Sequence, residues 1–176
     1  MNTEPIQLIV FSGLPGVGKS HLAEEIGRRL RVPVFAKDWL EATLKRSQMG
    51  AEAEKWTGYA SYELLTTLAE RQLMLGQSAI LDSVASIETV RNEWRTLAQT
   101  YGARWRVIEC VCPDEAVHRQ RLLGRQRNIP GWHELDWSEV ERVRGYFVSW
   151  TEERLVVDTL NAHDENVQAV LDYLRK

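Results

Sequence analysis

Apolar positions along this chain follow two rhythms. Short, nearly unbroken apolar runs at 6–11, 32–35, 79–81, 104–112 and 155–158 read as buried strands. Between them the spacing is helical. From Lys19, the residues Leu22, Ile26 and Leu30 recur every four positions on one face. Asp38 stands where a helix N-cap belongs, before Trp39, Leu40 and Leu44. Leu64, Leu65, Leu68 and Leu75 predict a long helix over about 59–75, ended by Gly76. Further helices are predicted over about 87–101, from Pro113 and Asp114 toward Arg125, over 138–150 and over 164–174. Pro113 is expected in a first turn, where its missing N–H costs nothing. Residues 47–57 read as an irregular connection, and 128–133 breaks the helical pattern with Pro130 and Gly131. Strands alternating with helices imply an α/β fold, a parallel sheet of five strands covered on both faces.

Length and charge narrow the picture. The chain has 176 residues, one domain's worth, so a single domain over 1–176 is expected. The formal net charge of −3 argues against a general nucleic-acid binder, which carries a basic excess. A local basic cleft for one nucleic-acid end stays compatible with it. The two cysteines, Cys110 and Cys112, share a face of one predicted strand and read as small core residues. The N-terminal residues lack the basic and cleavage regions of a signal peptide, and no apolar run reaches the ~18–20 residues of a membrane span. A cytoplasmic protein is the expectation.

One motif carries chemistry. Gly13-Leu14-Pro15-Gly16-Val17-Gly18-Lys19-Ser20 fits the phosphate-binding pattern G-x-x-x-x-G-K-[ST] between a strand and a helix. The glycines let backbone N–H groups turn inward, and the helix adds its positive N-terminal end. Lys19 can reach the outer phosphates, and Ser20 can place its hydroxyl on Mg²⁺. Gly13, Leu14, Pro15, Gly16, Val17, Gly18, Lys19, Ser20 and His21 are therefore the expected nucleotide contacts, with ATP and Mg²⁺ the expected cofactors.

Other residues follow from the sheet. Asp82 ends the third strand, at the carboxyl edge where ligands bind in such sheets, and is the second candidate metal ligand beside Ser20. Asp38 ends up on the same edge and could accept the proton of a hydroxyl acceptor, or simply cap its helix. Arg119, Arg121, Arg125 and Arg127 lie on one helix and its end, with Arg121 and Arg125 four apart. They suggest a lid over about 119–137 whose Arg121 and Arg125 close on a transferring phosphate. Lys37 reads as a surface residue, and Arg91 as a weaker candidate. Trp39, Trp56, Trp132 and Trp137, with Tyr59 and Tyr62, could wall an acceptor site or merely pack.

Taken together, these residues resemble the bacterial P-loop kinases grouped with chloramphenicol phosphotransferase, zeta toxins and polynucleotide kinases. The segment Ala36-Lys37-Asp38-Trp39-Leu40 looks like their strand-two aspartate, the proposed base. Ile80-Leu81-Asp82-Ser83 looks like their strand-three aspartate, and Arg121-Leu122-Leu123-Gly124-Arg125 like their lid arginine pair. Leu155-Val156-Val157-Asp158-Thr159 is similar to their last strand, which implies that Asp158 and Thr159 border the adenine. The resemblance also implies strand order 2-3-1-4-5. An N-K-x-D guanine motif is absent, and the chain is short for a full AAA+ module. The expected activity is transfer of the γ-phosphate of ATP to a hydroxyl of a small molecule. The alternatives are a polynucleotide 5′-hydroxyl kinase and a nucleotide-binding switch with little turnover.

Overall fold

A computed structural model describes residues 5–47 and 55–176. Part of the predicted 47–57 connection, residues 48–54, lies outside the described residues. Five strands form one parallel sheet: β1 (Gln7–Ser12), β2 (Val34–Ala36), β3 (Ala79–Asp82), β4 (Arg104–Val111) and β5 (Leu155–Asp158), in the order β2-β3-β1-β4-β5. The helices among the described residues are α1 (Lys19–Leu30), α2 (Lys37–Arg46), α3 (Thr57–Met74), α4 (Glu88–Thr100), α5 (Glu115–Leu123), α6 (Trp137–Tyr146) and α7 (His163–Arg175). None is long and apolar enough to cross a membrane.

Alternate residues of the central strand feed two cores, because strand side chains point to opposite faces. Ile9 and Phe11 pack with Leu22 and Ile26 of α1 and Val167 and Val170 of α7. Leu8 and Val10 pack with Leu65 and Ala69 of α3 and Trp94 and Ala98 of α4. β1 is buried on both faces, as a nearly continuous apolar run requires. The register sets Phe11 beside Asp82 of β3 and Ser12 beside Glu109 of β4. The phosphate motif and Asp82 therefore emerge together at the carboxyl edge.

Several boundaries differ from the sequence reading, each for a local reason. Asp38 does not cap α2: Ala36 is the N-cap, and Asp38 lies in the first helical turn. A carboxylate there still favours the helix through the macrodipole. Pro113 precedes the cap of α5 and is not in its first turn; Asp114 caps that helix by accepting from the Val117 N–H at 3.0 Å. α5 ends at Leu123, so Arg125 lies beyond the helix and does not share a helical face with Arg121. α6 stops at Tyr146, and the segment after it turns inward to bury Trp150, whose indole N–H donates to Ser12 Oγ at 3.0 Å. Cys110 is buried as expected, and Cys112 lies just past the strand, half-buried.

Candidate active site

The loop between β1 and α1 turns on glycines with positive φ. Gly13 has φ 140° and Gly16 has φ 84°. A Cβ on Gly13 would stand 2.3 Å from the Cys110 carbonyl oxygen, and one on Gly16 would stand 2.8 Å from a Leu122 methyl. The backbone approach at Gly13 admits no side chain, and at Gly16 the positive φ, more than the movable methyl, disfavours one. The loop is tied down from several sides. Ser12 Oγ donates to the Val84 carbonyl at 2.8 Å, and the buried His118 ring stands with Nε2 2.7 Å from the Pro15 carbonyl. The His118 N–H on that side is the natural donor to this oxygen. Burial holds the His118 pKa down, opposed by that bond.

Lys19 is 7% exposed at the head of α1. Burial lowers its pKa, while the Asp82 and Asp38 carboxylates pull it back up. Asp82 is buried at the end of β3, and burial raises its pKa against Lys19 and a hydrogen bond with Ser20. Its Oδ1 is buried with no hydrogen-bond partner among the described residues. A buried carboxylate oxygen without a partner is costly in water-free surroundings. Placed beside a serine hydroxyl and a lysine-bearing phosphate loop, it fits Mg²⁺. That ion is held by few carboxylates plus substrate phosphates and water.

Asp38 projects into the same site from α2. Its Oδ2 accepts from Arg127 Nη1. Burial alone would raise this carboxyl, but Arg127, Lys19 and Lys37 together hold it below the usual value. Arg125 stands nearby, its field acting on Lys19, and its guanidinium pKa is lowered by burial. Its Nε is buried without a hydrogen-bond partner among the described residues, with a Glu134 oxygen 4.0 Å away.

The four arginines expected to act together are split. Arg119 pairs with Glu115 at 2.9 Å and lies over the Trp137 ring, on the outer surface. Arg121 turns to the far edge of the loop, donating to Thr159 Oγ1 at 3.0 Å and to the Thr159 carbonyl at 2.9 Å. Only Arg127 bonds a site carboxylate, that of Asp38, while Arg125 feels Asp38 and Asp82 through their field. Thr159 in turn donates to the Val111 carbonyl at 3.0 Å, and Asp158 accepts from the Leu160 N–H at 2.9 Å. His21 is exposed, its ring centroid 4.5 Å from that of His163.

Beside Asp38 opens a cleft of about 400 Å³, bordered by Pro15 of the phosphate loop. Of the expected aromatic wall, Trp132, Tyr59 and Tyr62 line it, but Trp39, Trp56 and Trp137 do not. Trp137 instead meets His118 edge-on. Lys37 is not a surface residue: it lines the cleft, bonded to Glu41, with its ammonium 5.3 Å from the Tyr62 ring centre. Arg91 is structural. It is buried, donates to the Ala85 and Val148 carbonyls at 2.6 Å each, and lies 3.8 Å from the Trp150 ring centre. Sequence reasoning missed Arg142, Tyr146 and Glu139, which reach the cleft from α6. Their three- and four-residue spacing on one helix is the signal that could have grouped them.

An α/β sheet in the order 2-3-1-4-5, with a phosphate loop after its central strand, is the P-loop kinase fold. The chain matches the AAA_33 family model, an AAA domain, over residues 8–148, and it belongs to that family. Length had argued against a full AAA+ module; the family carries the AAA name, and its match ends at 148. No curated protein matches. Among solved structures, the chain is similar to a putative kinase from Chloroflexus aurantiacus at 22% identity and TM-score 0.77, over 97% of this chain and 99% of that one. It is similar to a gluconokinase from Sinorhizobium meliloti at 19% identity and TM-score 0.68, over 96% and 91%. It is also similar to the Mycobacterium tuberculosis APS kinase CysC, solved with AMPPNP and APS, at 22% identity and TM-score 0.63, over 98% and 100%. At these identities the likeness concerns the fold. It does not single out the chloramphenicol phosphotransferase and zeta-toxin group.

Proposed function

We propose that this chain is an ATP-dependent phosphotransferase acting on a hydroxyl of a small molecule, in the cytoplasm. The observation that carries the reading is the placement of Asp38. Its carboxylate acts on the buried Lys19 of the phosphate loop, and the same residue lines a cleft large enough for a small acceptor. A pure nucleotide switch has no use for a carboxylate on the acceptor side of the loop. The names of the similar structures, gluconokinase and APS kinase among them, are in keeping with a small acceptor. An overall charge of −3 favours it over a nucleic-acid 5′ end.

Bound MgATP supplies the transferable phosphoryl group and the metal charge that neutralises it. The backbone of Gly13 to Ser20 and the α1 N-terminus would hold the phosphates, and Ser20 and Asp82 the metal. Asp38 offers Oδ1 to the acceptor hydroxyl, since Arg127 occupies Oδ2 and fixes the carboxylate plane. The acceptor oxygen forms its bond to the γ-phosphorus as the bond from that phosphorus to the β,γ-bridging oxygen breaks. The electron pair leaves with ADP, and the hydroxyl proton passes to Asp38. Lys19 and Arg125 stabilise charge on the phosphoryl oxygens during transfer. We assign Arg121, with Asp158 and Thr159, to the nucleoside end, and the lid to about 119–137.

The test is a transfer assay with γ-labelled ATP over alcohols, nucleosides, sugars and 5′-hydroxyl oligonucleotides, with Lys19→Ala as control. Label should enter a small alcohol and be lost by at least about 10²-fold in the mutant. Label entering only oligonucleotides would establish the polynucleotide kinase. MgATP binding with no transfer to any hydroxyl would leave the switch.

A further inference from the structure

The lining of the cleft speaks to the chemistry of the acceptor. Its walls are rich in rings: Tyr59, Tyr62, Tyr146 and Trp132, with Ile87 and Val90 between them. Three of these are bare at the mouth, Tyr59 at 64%, Tyr146 at 45% and Ile87 at 42% exposure. Scattered exposed apolar residues mean nothing, but several gathered around one concavity next to a candidate base mark a binding surface. Trp132 adds a buried indole N–H with no partner among the described residues, a donor that a ligand acceptor atom or a small ring movement could satisfy.

The charges in the lining point the same way. Three carboxylates, Asp38, Glu41 and Glu139, face two cations, Lys37 and Arg142. Lys37 is consumed by Glu41, which also pairs with Lys45 at 3.0 Å, and Asp38 by Arg127. Glu139 stands 3.4 Å from His133. Arg142 lies 5.9 Å from the Tyr146 ring centre at the rim. An acceptor bearing a carboxylate, sulfate or phosphate needs uncompensated guanidinium or ammonium groups converging on it. Among the described residues, this cleft offers one such group, Arg142, at its edge, among carboxylates.

Resting on the phosphotransfer reading above, we propose that the acceptor is a neutral or cationic alcohol carrying an aromatic or heteroaromatic ring, seated between Tyr59, Tyr146 and Trp132 with its hydroxyl toward Asp38. Anionic sugar acids and nucleotides are excluded as preferred acceptors.

The test uses the full chain, γ-labelled ATP and size-matched probes. Ring alcohols without negative charge are 3-phenylpropan-1-ol, phenylalaninol and uridine; the anions are 4-(hydroxymethyl)benzoate and gluconate. A thermal-shift measurement with MgATP alone runs alongside. The expected result is label in at least one uncharged or cationic ring alcohol, with kcat/KM at least about 10-fold above either anion. Tyr59→Ala should raise the acceptor KM roughly 10-fold, the worth of one lost ring contact, with kcat and the MgATP shift unchanged, and Tyr59→Phe should restore it. Preferred labelling of an anion, or an intact MgATP shift with no ring alcohol labelled, overturns the inference while the nucleotide site stands. Absence of any MgATP shift overturns the phosphotransfer reading itself, and this inference with it.

Discussion

The phosphate loop and the segment 124–136 both close on the same carboxylates, yet they are held by different forces. The loop is fixed by backbone and buried groups: Gly13 against the Cys110 carbonyl, Ser12 on the Val84 carbonyl, His118 on the Pro15 carbonyl. The segment 124–136 buries Ile129 and is otherwise held by long side chains between it and α2. Arg127 bonds Asp38, Arg46 bonds the Pro130 carbonyl, and the Lys45 ammonium lies 5.2 Å from the Trp132 ring centre. Steric closure and buried hydrogen bonds fix one geometry. The exposed Arg46 contact is weak, whereas the Arg127–Asp38 pair, with side chains 11% and 26% exposed, is sheltered. The loop is therefore a preformed cradle, and the segment is a strap whose position depends on what Asp38 is bonded to.

The largest expected effect separates two arginines that the sequence treated as a pair. Arg125→Ala should lower kcat by about 10³-fold or more, because charge facing a transferring phosphoryl group is worth most in the transition state. Arg121→Ala should instead raise the KM for ATP by roughly 10-fold through its lost hold on Thr159, with kcat nearly unchanged. Steady-state kinetics of the two variants checks this. Equal losses in kcat would return Arg121 to the phosphoryl group.

Next in size is Asp38→Asn, expected to cut transfer by about 10²–10³-fold with MgATP binding retained. The pH profile sharpens it. The Asp38 carboxyl is held below its ordinary value of 3.8, so its ionised form is favoured by folding. Such a group contributes stability that is present above the unfolded value and lost as pH falls through the lower folded value. Above about pH 4 Asp38 therefore stays charged, and kcat should show no acid limb from it between pH 5 and 8. A limb in that window that disappears in Asp38→Asn would contradict the arrangement.

The same contrast explains what was legible in the sequence. The five strands, their parallel pairing and the phosphate loop come from local signals: apolar runs, glycines and a lysine at fixed spacing. Asp82 could be placed because a strand end fixes where its last residue goes. The arginines could not be sorted, because α5 ends two residues before Arg125 and the chain then leaves the helical path. Which carbonyl or carboxylate each guanidinium meets is decided by α2 and by the loop after β5, far away in sequence. Lys37 was misplaced for a related reason, since only the packing of α3 against α2 brings the Tyr62 ring under its ammonium.

Steric closure of the loop predicts a stability effect of intermediate size. Gly13→Ala places a methyl 2.3 Å from a backbone oxygen at φ 140°, which neither side can relieve cheaply. The cost should be about 2–3 kcal/mol, read as a lowered denaturation midpoint at unchanged slope. An unperturbed midpoint would mean that the loop relaxes, and that its cradle is not preformed.

The smallest effect belongs to the strap. Arg46 is exposed, and its guanidinium donates to the Pro130 carbonyl and to Thr43 Oγ1 at 3.0 Å. Truncation to Arg46→Ala should cost at most about 1 kcal/mol of global stability, since solvent replaces an exposed hydrogen bond. Its local consequence should be larger than its global one. With that tie gone, the segment is held by the buried Ile129, by Arg127 and by the Lys45–Trp132 contact, and it should open more often than the sheet unfolds. Hydrogen exchange in 126–134 should accelerate several-fold while amides of β1 and β3 keep their protection. Raising salt should leave the strap's exchange nearly unchanged, because the Arg127–Asp38 pair is largely sheltered from solvent and poorly screened. Exchange that rises equally in the strap and in β1 would show the two regions to be one cooperative unit, and the distinction between cradle and strap would fall.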